Sequence, residues 1–152
     1  MSMALKNKCP QCRAKFPTSY KGTVKQVRKW ANADKAWAQT TLAELYHRGR
    51  GVPQSDEEAI RYYEMAVEQG DPNAMCDLAC MYEIGEGVAK SLEKAVELFA
   101  SAANQGHARA QYNLGCSYRE GKGGVAQSYE KAFGLFTLAA NQRHAGAQYN
   151  LG

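Results

Sequence analysis

The sequence lacks several features that would assign it to a specialised class of protein. Its apolar runs are far shorter than the 18 residues that a membrane-spanning helix needs. The N-terminal stretch MSMALKNKCPQCR has no apolar segment of the kind that secretory signals carry. The 5 cysteines are odd in number and come without a secretory context, which favours reduced thiols. We therefore expect an intracellular protein, cytoplasmic or nuclear.

The charge is unevenly distributed along the 152 residues, a length that suits one continuous core. Residues 1–35 contain nine Lys and Arg and one acid, Asp34, whereas residues 36–152 contain ten Lys and Arg and fourteen acids. A basic head of this kind can bind RNA, DNA or an anionic membrane, or it can be a solubilising tail. The absence of a phosphate-binding loop and of any nucleic-acid motif disfavours a nucleic-acid partner and favours the tail.

A repeat of 36 residues dominates the remaining sequence. Leu42, Leu78 and Leu114 are 36 residues apart, and Leu151 follows 37 residues later. The same offsets relate Ala38, Ala74, Ala110 and Ala147, as well as Tyr46, Tyr82 and Tyr118. A fixed period of this length is typical of a solenoid built from repeated supersecondary units.

Each repeat contains two helical patterns separated by a glycine-containing break. In the second repeat, Ala74, Leu78 and Tyr82 share one helical face, and Ala95 and Phe99 begin another. Residues that commonly begin or end helices support this division. Serines before the second helices are N-cap candidates, a glycine can close the first helix, and an Asp-Pro pair can begin one. These residues are Ser55, Ser91, Ser128, Gly85, Asp71 and Pro72.

The repeat resembles the Sel-one-like repeat (SLR), a relative of the tetratricopeptide repeat. The motifs that carry the resemblance are Ala108-Arg-Ala-Gln-Tyr-Asn-Leu-Gly-Cys-Ser-Tyr118, Gly85-Glu-Gly-Val88, Lys94-Ala95 and Ala102-Ala-Asn-Gln-Gly106. The third copy departs from the pattern, since Arg143 stands where Gly70 and Gly106 stand in the others. We expect the helix end at Arg143 to be less tightly closed.

The resemblance implies an all-α fold, a right-handed α/α solenoid of helix-turn-helix repeats. We assign residues 1–17 to a zinc-finger remnant or basic tail and residues 18–34 to a linker or capping helix. Repeats then occupy residues 35–72, 73–108 and 109–145, and a partial repeat occupies 146–152. Because the last repeat stops early, we expect a fragment of a longer protein.

Cys9-Pro-Gln-Cys12-Arg is the one candidate metal site. A C-x-x-C loop places two thiolates within reach of one tetrahedral zinc ion, and the segment resembles the last knuckle of a RING finger. A RING needs eight ligands, and no Cys or His precedes Cys9. Cys9 and Cys12 would therefore bind zinc only if the finger is completed upstream or between chains. The alternatives are a redox pair or an incidental exposed pair.

A peptide-binding stripe is predicted on the first helices, which line the concave surface in solenoids of this kind. Positions two before, two after and five after each core leucine lie on one helical face. They are Thr40, Glu44, His47, Cys76, Cys80, Glu83, Tyr112, Cys116 and Arg119. These residues differ between repeats while the core positions do not, which is how one scaffold can recognise an extended peptide. The other interpretation is a merely solvated or half-packed face.

The same stripe contains three of the cysteines, and we expect them to be free thiols. Neighbouring helix axes lie about 8–10 Å apart, beyond the reach of a disulfide between Cys80 and Cys116. Cys76 and Cys80 are spaced to share a metal, but no third or fourth ligand is evident, so a small buried cysteine is favoured. His107 and His144 occupy the same turn, which indicates local structure. No catalytic constellation recurs in the sequence.

The preferred hypothesis is a non-enzymatic scaffold that binds a protein or peptide. The first alternative is a fragment of a eukaryotic RING-type ubiquitin-protein ligase, whose RING would recruit a ubiquitin-conjugating enzyme while the repeats select substrate. The second alternative is nucleic-acid binding by the basic head. No cofactor is certain, and zinc is the one cofactor that the sequence suggests.

Overall fold

A computed structural model describes residues 19–151, and these form eight α-helices and no strand. The helices are α1 Tyr20–Asn32, α2 Ala36–His47, α3 Asp56–Glu68, α4 Pro72–Ile84, α5 Leu92–Asn104, α6 Ala108–Glu120, α7 Tyr129–Asn141 and α8 Ala145–Leu151. The all-α prediction is confirmed. Cys9 and Cys12 lie outside the described residues, so the zinc-knuckle prediction stays a prediction.

The chain divides into two compact units, with the boundary in the last turn of α3. Unit 1, described from Ser19 to Ala66, contains α1, α2 and α3. Its core consists of Val27 from α1, Leu42 from α2 and Tyr63 from α3, each at most 2% exposed. The rings of Tyr46 and Tyr62 stack at 5.8 Å and join α2 to α3. Helix α1 occupies the segment that was predicted as a linker or capping helix and packs on α2.

Unit 2, residues 67–151 of the described chain, contains helices α4 to α8, and each packs against the next along the chain. The larger of its two apolar clusters is formed by α4, α5 and α6, with Phe99 at its centre and 1% exposed. The smaller is formed around Phe136 of α7 and Ala147 of α8. Ala74 and Ala110 are fully buried, as expected for small residues that let neighbouring helices approach closely.

The predicted helix boundaries are confirmed by the capping hydrogen bonds. The hydroxyls of Ser55, Ser91 and Ser128 each accept a bond from the backbone N–H three residues later, at 3.2–3.3 Å. Asp71 caps α4 through the N–H of Asn73 at 2.8 Å, with proline at the first helical position. Gly85 closes α4 in the left-handed conformation, with φ of 79°.

The expectation that the helix end at Arg143 is less tightly closed is wrong. The N–H of Arg143 donates to the Ala140 carbonyl at 2.8 Å, and the N–H of His144 donates to that of Ala139 at 3.1 Å. The equivalent bonds after α5, made by Gly106 and His107, measure 2.9 and 3.1 Å. Arg143 reaches this geometry by adopting φ of 64°. The end of α7 is therefore closed by the same hydrogen bonds as the end of α5, and the left-handed conformation of Arg143 is a source of backbone strain.

Replacing Arg143 with glycine is expected to raise the free energy of unfolding of unit 2 by about 0.5–1 kcal/mol. Glycine removes the penalty of about 1–2 kcal/mol for a left-handed residue, and its greater freedom in the unfolded chain offsets part of that gain. The reverse change, Gly106→Arg, is a matched test, because a Cβ at Gly106 (φ +83°) meets nothing within 4 Å. It should destabilise by a similar amount. Chemical denaturation followed by circular dichroism measures the free energy of unfolding of both variants. Equal stability of Arg143→Gly and wild type would show that Arg143 is not strained.

The loop between the two helices of a repeat is anchored by its second glycine. A Cβ on Gly123 would lie 2.5 Å from the Leu92 carbonyl oxygen and 2.5 Å from Val96 Cγ2, on the first turns of α5. In unit 1 a Cβ on Gly51 would lie 2.7 Å from the Tyr20 carbonyl oxygen. The G-x-G motif therefore has two separate roles. Its first glycine closes a helix, and its second lets the loop touch the second helix of the repeat before.

None of the helices described between Ser19 and Leu151 combines the length and the hydropathy that a membrane span requires.

Candidate protein-interaction face

The glutamine of the A-x-A-Q motif is a buried polar contact between successive repeats. Gln111 is 4% exposed, and its Nε2 donates to the Ala103 carbonyl near the end of α5, at 3.4 Å. Gln142 donates from Nε2 to Gln111 Oε1 at 2.9 Å and to the Gly106 carbonyl at 2.8 Å. In unit 1, Gln39 is fully buried and donates to Asp34 Oδ1 at 2.9 Å. The bonds of Gln111 and Gln142 satisfy carbonyls at and just after the end of α5 and position α6, whereas the second repeat has Met75 at this place in the motif.

The three predicted groove residues of unit 1 lie half-buried on α2. The Thr40 hydroxyl donates to the Ala36 carbonyl at 3.1 Å. Glu44 pairs with Arg48 at 3.1 Å within the helix. His47 Nδ1 lies 3.0 Å from Asp56 Oδ1 at the start of α3. The stripe is therefore partly accessible, but its polar groups already have partners inside unit 1.

In unit 2, the side chains of α6 bridge to α4 on one side and to α8 on the other. Arg109 contacts Asp77 of α4 through Nη2, and its Nε lies 3.2 Å from Cys76 Sγ. At the other side, Arg119 Nη1 donates to Asn150 Oδ1 of α8 at 3.2 Å. The first helices α4, α6 and α8 therefore present one common surface, which we call the first-helix face of unit 2.

One of the predicted groove residues is not on the accessible part of this face. Cys76 is 0% exposed, because its side chain lies in the apolar cluster of α4, α5 and α6. The prediction that it lines a groove is therefore wrong, and the alternative interpretation as a small buried cysteine is confirmed. Cys80 and Cys116 are half-buried, and Glu83 is exposed. Cys76, Cys80 and Cys116 are all free thiols, as predicted.

Tyr112 is held by its neighbours. Its ring stacks on His144 at 4.6 Å and meets Phe136 at 5.7 Å. Arg119 also lies over the Phe136 ring, at 5.7 Å from its centroid. Tyr112 and Arg119 are both half-buried, so each presents a fixed edge to solvent. Ordered side chains of this kind lose little conformational entropy when a ligand binds.

Cys80 is a half-buried thiol whose sulfur lies near donor groups of α6. Its Sγ lies 3.7 Å from Arg109 Nη2 and 3.9 Å from Asn113 Nδ2, both on α6. A hydrogen bond from the Cys76 thiol, followed by the charge of Arg109, outweighs burial and lowers the pKa of Cys80 to about 7. The same bond, together with burial, raises the pKa of Cys76. Cys116, at the equivalent position of the next repeat, has its pKa raised by burial.

A small cavity of about 70 Å³ opens beside this face. Its apolar wall belongs to α5, and its polar wall belongs to α4, to α6 and to the loop that follows α6. The lining residues are Leu92, Ala95, Val96, Phe99, Glu83, Cys116, Ser117, Glu120, Lys122 and Gly123. Two of the predicted groove residues, Glu83 and Cys116, are among them. The cavity has room for a small aliphatic side chain.

His107 and His144 have a structural role that the sequence did not specify. Each is an N-cap, and its Nδ1 accepts from the backbone N–H of Ala110 or Ala147 at 3.2 Å. Because Nδ1 accepts, Nε2 of His107 carries the proton and donates to Asn73 Oδ1 at 3.3 Å. Burial, then the charge of Arg109, lowers the pKa of His107 and favours this neutral form. The signal available in the sequence was their equivalent position immediately before a first helix.

These features define the class of protein. Helix pairs, glycine-closed loops and the buried glutamines Gln39 and Gln111 form a helical-repeat domain. The family model described as "Sel1 repeat" matches residues 38–71, 72–107 and 108–144. The chain belongs to the Sel1 repeat family, and the predicted SLR resemblance is confirmed. Repeats of this class generally mediate protein–protein interaction and are typically non-enzymatic.

Solved structures agree with this assignment. A Sel1 repeat protein from Oxalobacter formigenes is 30% identical, with a TM-score of 0.79 over 86% of this chain and 53% of that one. A protective antigen of uropathogenic Escherichia coli that displays an SLR fold is 33% identical, with a TM-score of 0.82 over 88% of this chain and 28% of that one. Helicobacter pylori cysteine-rich protein B shares the fold at 21% identity, with a TM-score of 0.66 over 86% of this chain and 96% of that one. Comparison with curated proteins gives no match.

Proposed function

We propose that this chain is a non-catalytic interaction module that holds an extended peptide along the first-helix face of unit 2. The supporting observation is that ordered polar side chains from successive repeats meet on this face. Arg109 and Arg119 join α6 to the first helices on either side, at positions where each repeat carries a different residue. A face that is ordered and varied from repeat to repeat is suited to recognising a sequence of residues.

The chemistry of the face suggests the kind of peptide. Arg119 can bind a carboxylate, and the Asn113 amide can pair with the backbone of an extended chain, since an amide both donates and accepts. The cavity beside Glu83 and Cys116 would accept a small aliphatic side chain next to these polar contacts. The proposed ligand is therefore an extended peptide with an acidic residue close to a small aliphatic one.

Selection from a displayed peptide library, followed by calorimetry with the selected peptides, tests the proposal. We expect Arg119→Ala to weaken binding about tenfold or more, which corresponds to the loss of one charged hydrogen bond, and Asn113→Ala, which removes a neutral one, to weaken it about threefold to tenfold. Glu97→Ala is the matched control, because Glu97 is an exposed residue of the second helix α5 and should have no effect. Circular dichroism confirms that each variant is folded. Selected peptides that bind all three variants with wild-type affinity would exclude the first-helix face.

The zinc knuckle at Cys9 and Cys12 is a separate proposal, favoured by its C-x-x-C spacing and its position before the repeats. Purified, reduced protein should contain zinc, and the Cys9→Ser/Cys12→Ser variant should not. Zinc retention would support a RING-derived segment in a larger ubiquitin ligase. Zinc-free protein would indicate that the repeats form an interaction module without a zinc-binding segment. Binding of nucleic acid by the basic head would instead weaken steeply with salt and disappear on deletion of residues 1–34.

A further inference from the structure

The sulfur of Cys80 on α4 is a point on unit 2 where two hydrogen-bond donors from α6 converge. Arg109 Nη2 lies at 3.7 Å and Asn113 Nδ2 at 3.9 Å, both within reach of a large sulfur acceptor. On its own helix, Cys76 stands one turn before Cys80. Two donors beside one sulfur stabilise a thiolate, which is the nucleophilic form of cysteine. We propose that Cys80 is a reactive thiol and the site at which a peroxide oxidises this chain.

The charged and titratable groups around Cys80 act in both directions. Asp77 and Glu83 on α4 oppose a negative charge on the sulfur, whereas Cys76 on α4 and Arg109 on α6 favour it. Asp77 is paired with Arg109, which reduces its repulsion. The favourable groups prevail and lower the pKa of Cys80 to about 7, so more of this thiol is ionised near neutral pH than of an ordinary cysteine.

Cys76 and Cys80 have different roles in this pair. Cys76 is 0% exposed and keeps its proton, because its S–H donates to Cys80 and burial disfavours its thiolate. Cys80 is half-buried, so its side chain is not closed off from solvent as that of Cys76 is. The buried thiol therefore serves as a hydrogen-bond donor that activates the accessible one.

The proposed reaction is a two-electron oxidation. The Cys80 thiolate attacks one peroxide oxygen, the S–O bond forms and the O–O bond breaks. Sulfur is oxidised to a sulfenic acid, and the peroxide is reduced to hydroxide, or to an alkoxide from an organic peroxide, which takes up a proton. The reaction does not depend on peptide binding.

Cys116 is a matched control within the same chain. It occupies the equivalent position on α6, is also half-buried, and has Arg119 Nη2 at 3.9 Å from its sulfur. The guanidinium of Arg119 also bonds Asn150 at 3.2 Å and Glu120 at 3.4 Å, and burial raises the pKa of Cys116. Two thiols that the repeat makes equivalent are therefore expected to differ in reactivity.

Site-resolved alkylation tests the proposal in a Cys9→Ser/Cys12→Ser background. Iodoacetamide is added at a series of pH values, and the labelled cysteines are identified by mass spectrometry. At pH 7 Cys80 should react about fivefold faster than Cys116, because its larger thiolate fraction outweighs the lower intrinsic nucleophilicity of a weaker base. Its rate should reach half of its maximum near its pKa of about 7. With hydrogen peroxide and dimedone, the adduct should form at Cys80.

Substitution of Arg109 tests whether Cys80 reacts because its thiolate is stabilised or only because its side chain is exposed. Arg109→Gln should reduce labelling of Cys80 at pH 7 about fivefold and leave Cys116 unchanged, whereas Arg109→Lys should restore part of the rate because it retains the charge. Circular dichroism verifies that both variants are folded. Two results would overturn the proposal whatever the Arg109 variants show. One is equal labelling of Cys80 and Cys116 in the Cys9→Ser/Cys12→Ser protein with Arg109 intact, and the other is the absence of a dimedone adduct on Cys80.

Discussion

Replacing Phe99 with alanine is expected to lower the free energy of unfolding of unit 2 by about 3–5 kcal/mol. Phe99 is 1% exposed and is the largest of the fully buried side chains. It belongs to an apolar cluster formed by residues of α4, α5 and α6, so its removal leaves a cavity within that cluster. Hydrogen exchange of amides in α4, α5 and α6 measures the loss.

Phe133→Ala is the matched control, because the same chemical change is made where the ring is 63% exposed. It should alter stability by about 0.5 kcal/mol or less, as expected for surface substitutions. Both tryptophans, Trp30 and Trp37, lie in unit 1, so their fluorescence follows that unit independently. If Phe99→Ala and Phe133→Ala have equal effects, the assignment of the core of unit 2 is wrong.

Gly123→Ala is expected to destabilise unit 2 by about 2–4 kcal/mol. Alanine at φ of +69° is strained by about 1–2 kcal/mol. Its Cβ would also lie 2.5 Å from the Leu92 carbonyl oxygen, a backbone atom that cannot move without displacing α5. Overpacking of this kind adds about 1–3 kcal/mol. Denaturant unfolding followed by circular dichroism gives the difference from wild type.

Substitution of the neighbouring Gly124 measures the backbone strain without the close contact. Its φ is +80°, but a Cβ there would meet only Glu93 Cγ, at 3.8 Å. Gly124→Ala should therefore cost about 1 kcal/mol, from backbone strain alone. A Gly123→Ala variant no less stable than Gly124→Ala would show that the loop is not held against α5.

The repeat itself was predictable because its signals are local. Leucines 36 residues apart, serines before second helices and a glycine after first helices each act within a few residues of their position. Their structural consequences, such as the caps of Ser91 and Ser128, follow from backbone chemistry that does not depend on tertiary contacts.

What the sequence could not provide depends on contacts between repeats. Helical spacing places Cys76 beside the buried face, but only the packing of α5 and α6 decides that it is fully buried. The Arg109 contact that distinguishes Cys80 from Cys116 joins residues 29 positions apart. Arg143 shows a different limit, since closure was judged from residue preference, and the hydrogen bonds outweigh that preference.

The glutamine contact and the second loop glycine together determine where the repeat length can vary. Gln142 bonds to Gln111 and Gly106, so paired amides hold the end of α7 against the start of α6, and a shift of one residue would leave the buried Gln111 amide oxygen without this donor. Gly123 fixes the loop against α5. The additional residue of the third repeat, which lengthens the period from 36 to 37, lies just after Gly123 and before Val125. Insertions in descendants of this sequence should therefore accumulate in that short interval, and deletions elsewhere in a repeat should be selected against.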